Sequence, residues 1–203
     1  MKKCPYENNP CKVVNCKFVR DGNPDHCGLY TFLDTVNKEL KSAKKEDREL
    51  INDLKERYVK VWNEHTESRG KGRATGTMFE KWIRERIRDR LGGEEIERGK
   101  VSFKFGKFNV DAAIPSTRQA KVILEIKIHT DIQHTLALGG LLKSSPEDRK
   151  LGFVTLNEPK KEEVKKILND FKESYKNRFD YFIIAGKDGW SHSIDRLKEF
   201  CRT

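Results

Sequence analysis

The chain has 203 residues, 36% of them charged, and a formal net charge of +10. That length suits one ordinary domain with a small appendage, and no apolar run reaches the length needed to span a bilayer. The cation excess favours a polyanionic partner, and the polar, proline-containing N-terminus MKKCPYENNP lacks the apolar core of a signal peptide, so a soluble cytoplasmic protein is expected.

Residues 1–28 hold Cys4, Cys11, Cys16 and Cys27 among Pro5, Pro10, Gly22, Pro24 and Gly28, with little apolar periodicity. Such a stretch buries too little to fold unaided, and a reducing compartment favours a metal over disulfides. Four thiolates closing a Zn²⁺ site are the first expectation, with an iron–sulfur cluster as the alternative. The spacings contain no Cys-x-x-Cys pair, His26 could replace one thiolate, and four unrelated thiols are the bland reading.

Residues 29–75 read as a helical arm and a basic linker. Phe32, Leu33, Val36 and Leu40 form one helical stripe; Leu50, Ile51, Leu54, Tyr58, Val61 and Trp62 form a second. The polar stretch Lys41 to Arg48 between them is where one long helix would bend or break. Glu67 to Thr75, with two glycines and three basic residues, reads as a linker.

A third domain is expected over 76–203. Its first helix carries Phe79, Trp82, Ile83, Ile87 and Leu91 on a buried stripe, and Gly92-Gly93 ends it. Thr77 suits an N-cap with Glu80 three residues on, a capping box that competes with any other role for Glu80. Arg84, Arg86, Arg88 and Arg90 follow, and a solvated basic face would account for them. Glu94 to Phe105 alternates as a strand, and Gly106-Lys107 turns the chain into the next. Beyond the hairpin described below, Asp131 caps a helix to about Lys143, with Gly139-Gly140 inside it. Leu151 to Leu156 is a strand, Pro159 opens a helix to about Arg178, and Tyr181 to Ala185 is a strand. A last helix covers about Ile194 to Phe200. The order α-β-β-β-α-β-α-β-α implies an α/β fold, a mixed central sheet with parallel crossovers covered by helices.

The chemistry sits in Phe108 to Ile128, FNVDAAIPSTRQAKVILEIKI. Val122, Leu124, Ile126 and Ile128 point one way, while Ile123, Glu125 and Lys127 point the other. In the preceding strand, Val110, Ala112 and Ile114 share one side and Asn109, Asp111 and Ala113 the other, with Pro115, Ser116 and Thr117 supplying the turn. Facing residues of a hairpin have a constant index sum, so a turn centred near Thr117 or Arg118 sets Asp111 opposite Leu124 or Glu125. Two carboxylates and a lysine then share a patch suited to a hard divalent cation such as Mg²⁺, the lysine standing beside a phosphate or a metal-bound water. The competing reading is a solvated polar face.

Asp111, Glu125 and Lys127 in this order resemble the motif of the PD-(D/E)XK nuclease superfamily, which includes restriction endonucleases and archaeal Holliday junction resolvases. Val110 stands where the motif has its Pro. The helix Gly76 to Ile83 fits the slot of the family's first helix, with Glu80 as its metal-reaching acid, and the resemblance covers roughly Gly76 to Gly189. It implies a restriction-endonuclease-like fold and a Mg²⁺-dependent DNA endonuclease leaving 5′-phosphate and 3′-hydroxyl ends. Asp111, Glu125 and the Ile126 carbonyl would hold the metal, with Lys127 and Glu80 assisting. His129 and Gln133 would lie near the DNA cleft. A type II-like restriction endonuclease is the first expectation, because the cysteine module could add DNA contacts. A structure-selective resolvase or repair nuclease and a non-catalytic nucleic-acid-binding protein are the alternatives. Symmetric cutting of both strands would favour a homodimer.

Overall fold

The structure, a computed structural model, describes residues 28–64, 68–93 and 95–202. Cys4, Cys11, Cys16 and Cys27, and with them the expected Zn²⁺ or iron–sulfur knuckle, lie outside these residues. The chain divides into two compact units, Met1–Phe79 and Glu80–Thr203.

In the first unit, helix α1 (Gly28–Ser42) and helix α2 (Lys45–Glu64) are separated by Ala43 and Lys44. The break falls in the polar stretch, where no large apolar side chain rewards continuing the helix. The two stripes meet: Phe32 stacks on Tyr58 with ring centroids 3.7 Å apart, and Leu29, Val36, Ile51 and Leu54 are buried. Helix α3 (Ser68–Arg90) then runs without interruption through the stretch expected to be a linker. Gly70, Gly72 and Gly76 each cost a helix about 1 kcal/mol relative to alanine. Burial of Thr75 and Phe79 in the same helix is the kind of tertiary contribution that overrides propensity. Because the helix begins at Ser68, Thr77 lies in its interior and forms no capping box with Glu80. The division between the units falls within α3 rather than at the glycines.

The second unit is an α/β layer structure on one five-stranded mixed sheet. Its strands are β1 (Glu97–Phe103), β2 (Gly106–Ile114), β3 (Val122–Lys127), β4 (Lys150–Thr155) and β5 (Phe179–Ile183), ordered β1-β2-β3-β4-β5 across the sheet. The first two pairings are antiparallel and the last two parallel. Helices α4 (Ile132–Ser144) and α5 (Glu162–Ser174) are the two crossovers, and α6 (Trp190–Cys201) closes the chain. The element order is the one read from the sequence, with shifted bounds. Helix α5 starts at Glu162 and a short 3₁₀ turn replaces its expected last turn; β5 lies two residues earlier, and α6 gains a turn at its start.

Period-two alternation sorts the core. Ile123, Leu151 and Phe153 face Leu138, Leu142, Val164 and Leu168 of α4 and α5. Leu124 and Gly152 face the other way, where Phe200 of α6 lies edge-on to Phe182 and Trp190 lies edge-on to Trp82 of α3.

One irregularity positions the candidate site. The β1–β2 register shifts between Glu97↔Ala113 and Gly99↔Val110, so Asp111 and Ala112 stand against Arg98 alone. This two-against-one bulge kinks β2 and puts Val110 and Ala113, three residues apart, into the same apolar cluster. The regular alternation expected for that strand is therefore interrupted at Asp111.

Candidate active site

The β2–β3 register is Ala112↔Leu124, Ala113↔Ile123 and Ile114↔Val122. Continuing it by one residue puts Asp111 opposite Glu125. The bulge turns the Asp111 carboxylate into the ladder, and its Oδ2 accepts from the Ile126 N–H at 2.8 Å and from Lys127 Nζ at 2.6 Å. Lys127 also donates to Glu125 Oε2 at 3.3 Å. One ammonium thus holds two carboxylates that would otherwise repel.

Glu80 of α3 is the third acid. It is only 9% exposed, and its Oε2 has no hydrogen bond among the described residues. Its nearest cations are Arg98 at 3.5 Å and Arg84 at 4.0 Å. Arg84, one turn beyond Glu80, donates instead to the Asp111 backbone carbonyl at 2.7 Å and so pins the bulge. Three acids and three cations are gathered here, with charges balanced but hydrogen bonds unevenly shared.

That arrangement shifts proton affinities. Burial, with the neighbouring Asp111 charge, raises the Glu125 carboxyl to about 7 against the opposing pull of Lys127. Burial also raises Glu80, with Asp111 adding to the effect against Arg98, Lys127 and Arg84. Burial works against the Lys127 ammonium, yet Glu125 and Asp111 outweigh it and hold its pKa above the ordinary value. Displaced pKa values of this kind, gathered beside a cavity, mark candidate functional sites.

A small cavity of about 50 Å³ opens beside Glu125 and Lys127, walled by His134, Leu138, Leu141 and Phe153, with space for a few waters. His134, on the first turn of α4, sits with its Nδ1 3.1 Å from the Asp131 cap. It is therefore His134 that borders the pair, while Gln133 and His129 are exposed.

No protein-family model, curated protein or solved structure matches the chain.

Among the described residues no three His, Cys, Asp or Glu side chains converge as they stand to hold a metal. The Lys127 ammonium lies between Asp111 and Glu125, 2.6 Å and 3.3 Å from their oxygens. The donors nevertheless suit a hard cation: carboxylate oxygens, already bridged by a positive charge, with the Glu80 oxygen, ion-paired but not hydrogen-bonded, in the same charge cluster. The sequence brought Asp111, Glu125, Lys127 and Glu80 into view, and the structure gathers all four. Sequence reading missed Arg84 and Arg98. The i, i+4 spacing of Glu80 and Arg84 was the available signal for the first; nothing local marked Arg98, because its place depends on the bulge.

Proposed function

We propose that this chain is a Mg²⁺-dependent DNA endonuclease with a restriction-endonuclease-like core, related in its site to the PD-(D/E)XK superfamily. The observation that carries the reading is the meeting of Asp111, Glu125 and Lys127 across two neighbouring strands, on a sheet preceded by a helix bearing a buried acid. Asp111, Glu125 and the Ile126 carbonyl would hold Mg²⁺, whose chemistry when bound is to polarise the scissile phosphate and acidify a water.

The chain's own residues supply the rest. Lys127, kept charged by its carboxylates, donates to the attacking water or to a phosphate oxygen as negative charge builds there. Glu125, raised to about 7 by burial and Asp111, would be held ionised by a coordinated cation, so its part is that of a ligand. Arg84 holds the Asp111 backbone so that its carboxylate stays aimed at the Ile126 N–H. Glu80 contributes a further carboxylate beside them. The cysteine knuckle, as a Zn²⁺ or iron–sulfur site at Cys4, Cys11, Cys16 and Cys27, belongs to the same proposal; metal analysis of protein purified without oxygen tests it, and absence of both metals removes it.

The activity is tested by incubating wild type and Asp111→Ala with plasmid and phage DNA, in Mg²⁺ or in EDTA. Cleavage by wild type in Mg²⁺ alone, lost in Asp111→Ala with DNA binding kept, is the expected result. Discrete bands would favour a restriction enzyme; nicking or a smear would favour a structure-selective nuclease. Equal metal-dependent cleavage by Asp111→Ala would remove the site assignment. Binding without any cleavage would leave a nucleic-acid-binding protein.

A further inference from the structure

Cations in this chain differ in whether the fold already uses them. Four arginines in the second half of α3 are used. Arg84 binds the Asp111 carbonyl and Arg90 pairs with Asp195, while Arg86 lies over the Trp82 ring beside Asp89 and Arg88 reaches the Ile96 carbonyl. The β1–β2 hairpin is different. Between Arg98 and Val110 there are four cations and no acid. Lys100, Lys104 and Lys107 make no ion pair among the described residues, and all three are exposed.

Their placement follows from the pleat. Val101 and Phe103 point into the core, so Arg98, Lys100 and Ser102 point away from it, and Lys104 is exposed in the turn that follows β1. Where the row would lapse at Ser102, the pairing Ser102↔Lys107 supplies a lysine from β2. The result is a row of four cations about 20 Å long, at the alternate-residue spacing of a strand. One end is Phe105, 72% exposed, with the Lys104 ammonium 5.4 Å over its ring. The other end is Arg98, whose side chain is 52% exposed yet reaches the buried Glu80 oxygen. The row therefore ends at the carboxylate cluster.

We propose that the outward face of the β1–β2 hairpin binds the phosphate backbone of a nucleic-acid strand, with Arg98 bringing that strand to Asp111, Glu125 and Glu80. The inference rests on the nuclease reading above and deepens it, since it says which surface takes the substrate. A row of cations lacking acids is matched in charge by a polyphosphate chain, and phosphate contacts set register without reading sequence. Phe105 offers the ring on which an unpaired base can stack. Arg98 has two partners within this scheme: Glu80 when the site is empty of substrate, and a phosphate oxygen when it is filled. The transfer frees the Glu80 carboxylate for the cation site. A competing account is that lysines protect β1, the edge strand, from pairing with other chains. That account does not explain the exposed Phe105 and Phe108, which invite association, nor the reach of Arg98 into the site.

The test uses the full-length protein and a fluorescein-labelled DNA oligonucleotide, single-stranded and as a duplex, in EDTA across a series of NaCl concentrations. Lys100→Ala/Lys104→Ala/Lys107→Ala is compared with a charge-matched control, Lys161→Ala/Lys166→Ala/Lys187→Ala, whose lysines are exposed elsewhere. Each lost phosphate contact lowers the slope of log affinity against log salt by about 0.9 for duplex and about 0.7 for single strands. The hairpin variant is expected to lose a slope of about two to three and to bind roughly tenfold or more weakly, with the control near wild type. Arg98→Ala is expected to lose a slope of about one and also to cut cleavage, with Arg98→Lys restoring binding in part. Equal slopes for hairpin variant and control would overturn the inference, as would self-association of the hairpin variant with an unchanged slope. Should wild type cleave DNA in Mg²⁺ while these slopes stay equal, the nuclease reading stands and only the hairpin assignment falls. Should wild type neither bind nor cleave, both fall.

Discussion

Glu125 carries a cost that the fold accepts at one residue. Its carboxyl titrates at about 7 in the folded chain, against an ordinary 4.5, because it is buried beside Asp111. A raised carboxyl pKa means that stability is full below the unfolded value and is lost as pH rises through the folded one. Ionised Glu125 thus destabilises the fold above neutrality by on the order of 3 kcal/mol. Glu125→Gln keeps the shape and removes the charge. We expect it to melt several degrees above wild type on the alkaline side of 7, to match wild type at acid pH, and to lose cleavage at every pH. Thermal melts across pH check this; a variant less stable than wild type throughout would mean that the Lys127 contact outweighs burial. The residue trio itself was legible in the sequence, because a hairpin's constant index sum needs only the turn's position, and Pro115-Ser116-Thr117 gave that. Arg84 and Arg98 were not legible in the same way. Their partners lie on other elements, Arg84 on Asp111 of β2 and Arg98 on Glu80 of α3, and only the folded chain brings them together.

At the scale of elements, two adjacent glycines in α4 separate propensity from packing. A Cβ on Gly140 would meet nothing within 4 Å, whereas one on Gly139 would lie 2.9 Å from Phe171 Cζ of α5. Phe171 has little freedom to retreat, being edge-on to both Phe179 and Tyr175. Gly140→Ala should therefore stabilise by roughly 0.5–1 kcal/mol, raising the melting temperature by about 1–4 °C for a chain of this size. Gly139→Ala should lower it, as overpacking typically costs about 1–3 kcal/mol. Melting curves of both variants check the pair, and a gain for Gly139→Ala would show that the α4–α5 contact is loose. The same contest explains which elements the sequence revealed. Strands and crossover helices with strong periodicity appear in the expected order, because pattern and burial agree there. Over the first part of α3 the sequence suggests a linker, because Gly70 and Gly72 speak against a helix locally. The bulge in β2 carries no glycine or proline of its own, and the glycine beside it, Gly99, lies on the partner strand β1. It is visible only in the pairing of β1 with β2.

Across the whole molecule, 42 Lys and Arg against 32 Asp and Glu give self-repulsion that salt should relieve. Salt should also weaken any hold on a polyanion, because each neutralised phosphate releases a counterion whose release is less favourable in a salty solution. The two effects have opposite signs and can be read in one experiment. For the protein alone, raising NaCl is expected to raise the melting temperature modestly, since screening acts on exposed charges and leaves the buried Asp111–Lys127–Glu125 group largely untouched. With excess DNA present, the melting temperature should be higher at low salt, because a ligand that binds only the folded chain stabilises it in proportion to the logarithm of its concentration over its dissociation constant. That increment should shrink as salt rises, until the curves with and without DNA coincide. Melting temperatures measured across salt, with and without DNA, check the argument. An increment that ignores salt would mean that the +10 charge is not what holds nucleic acid, and that contacts other than phosphate contacts carry the binding.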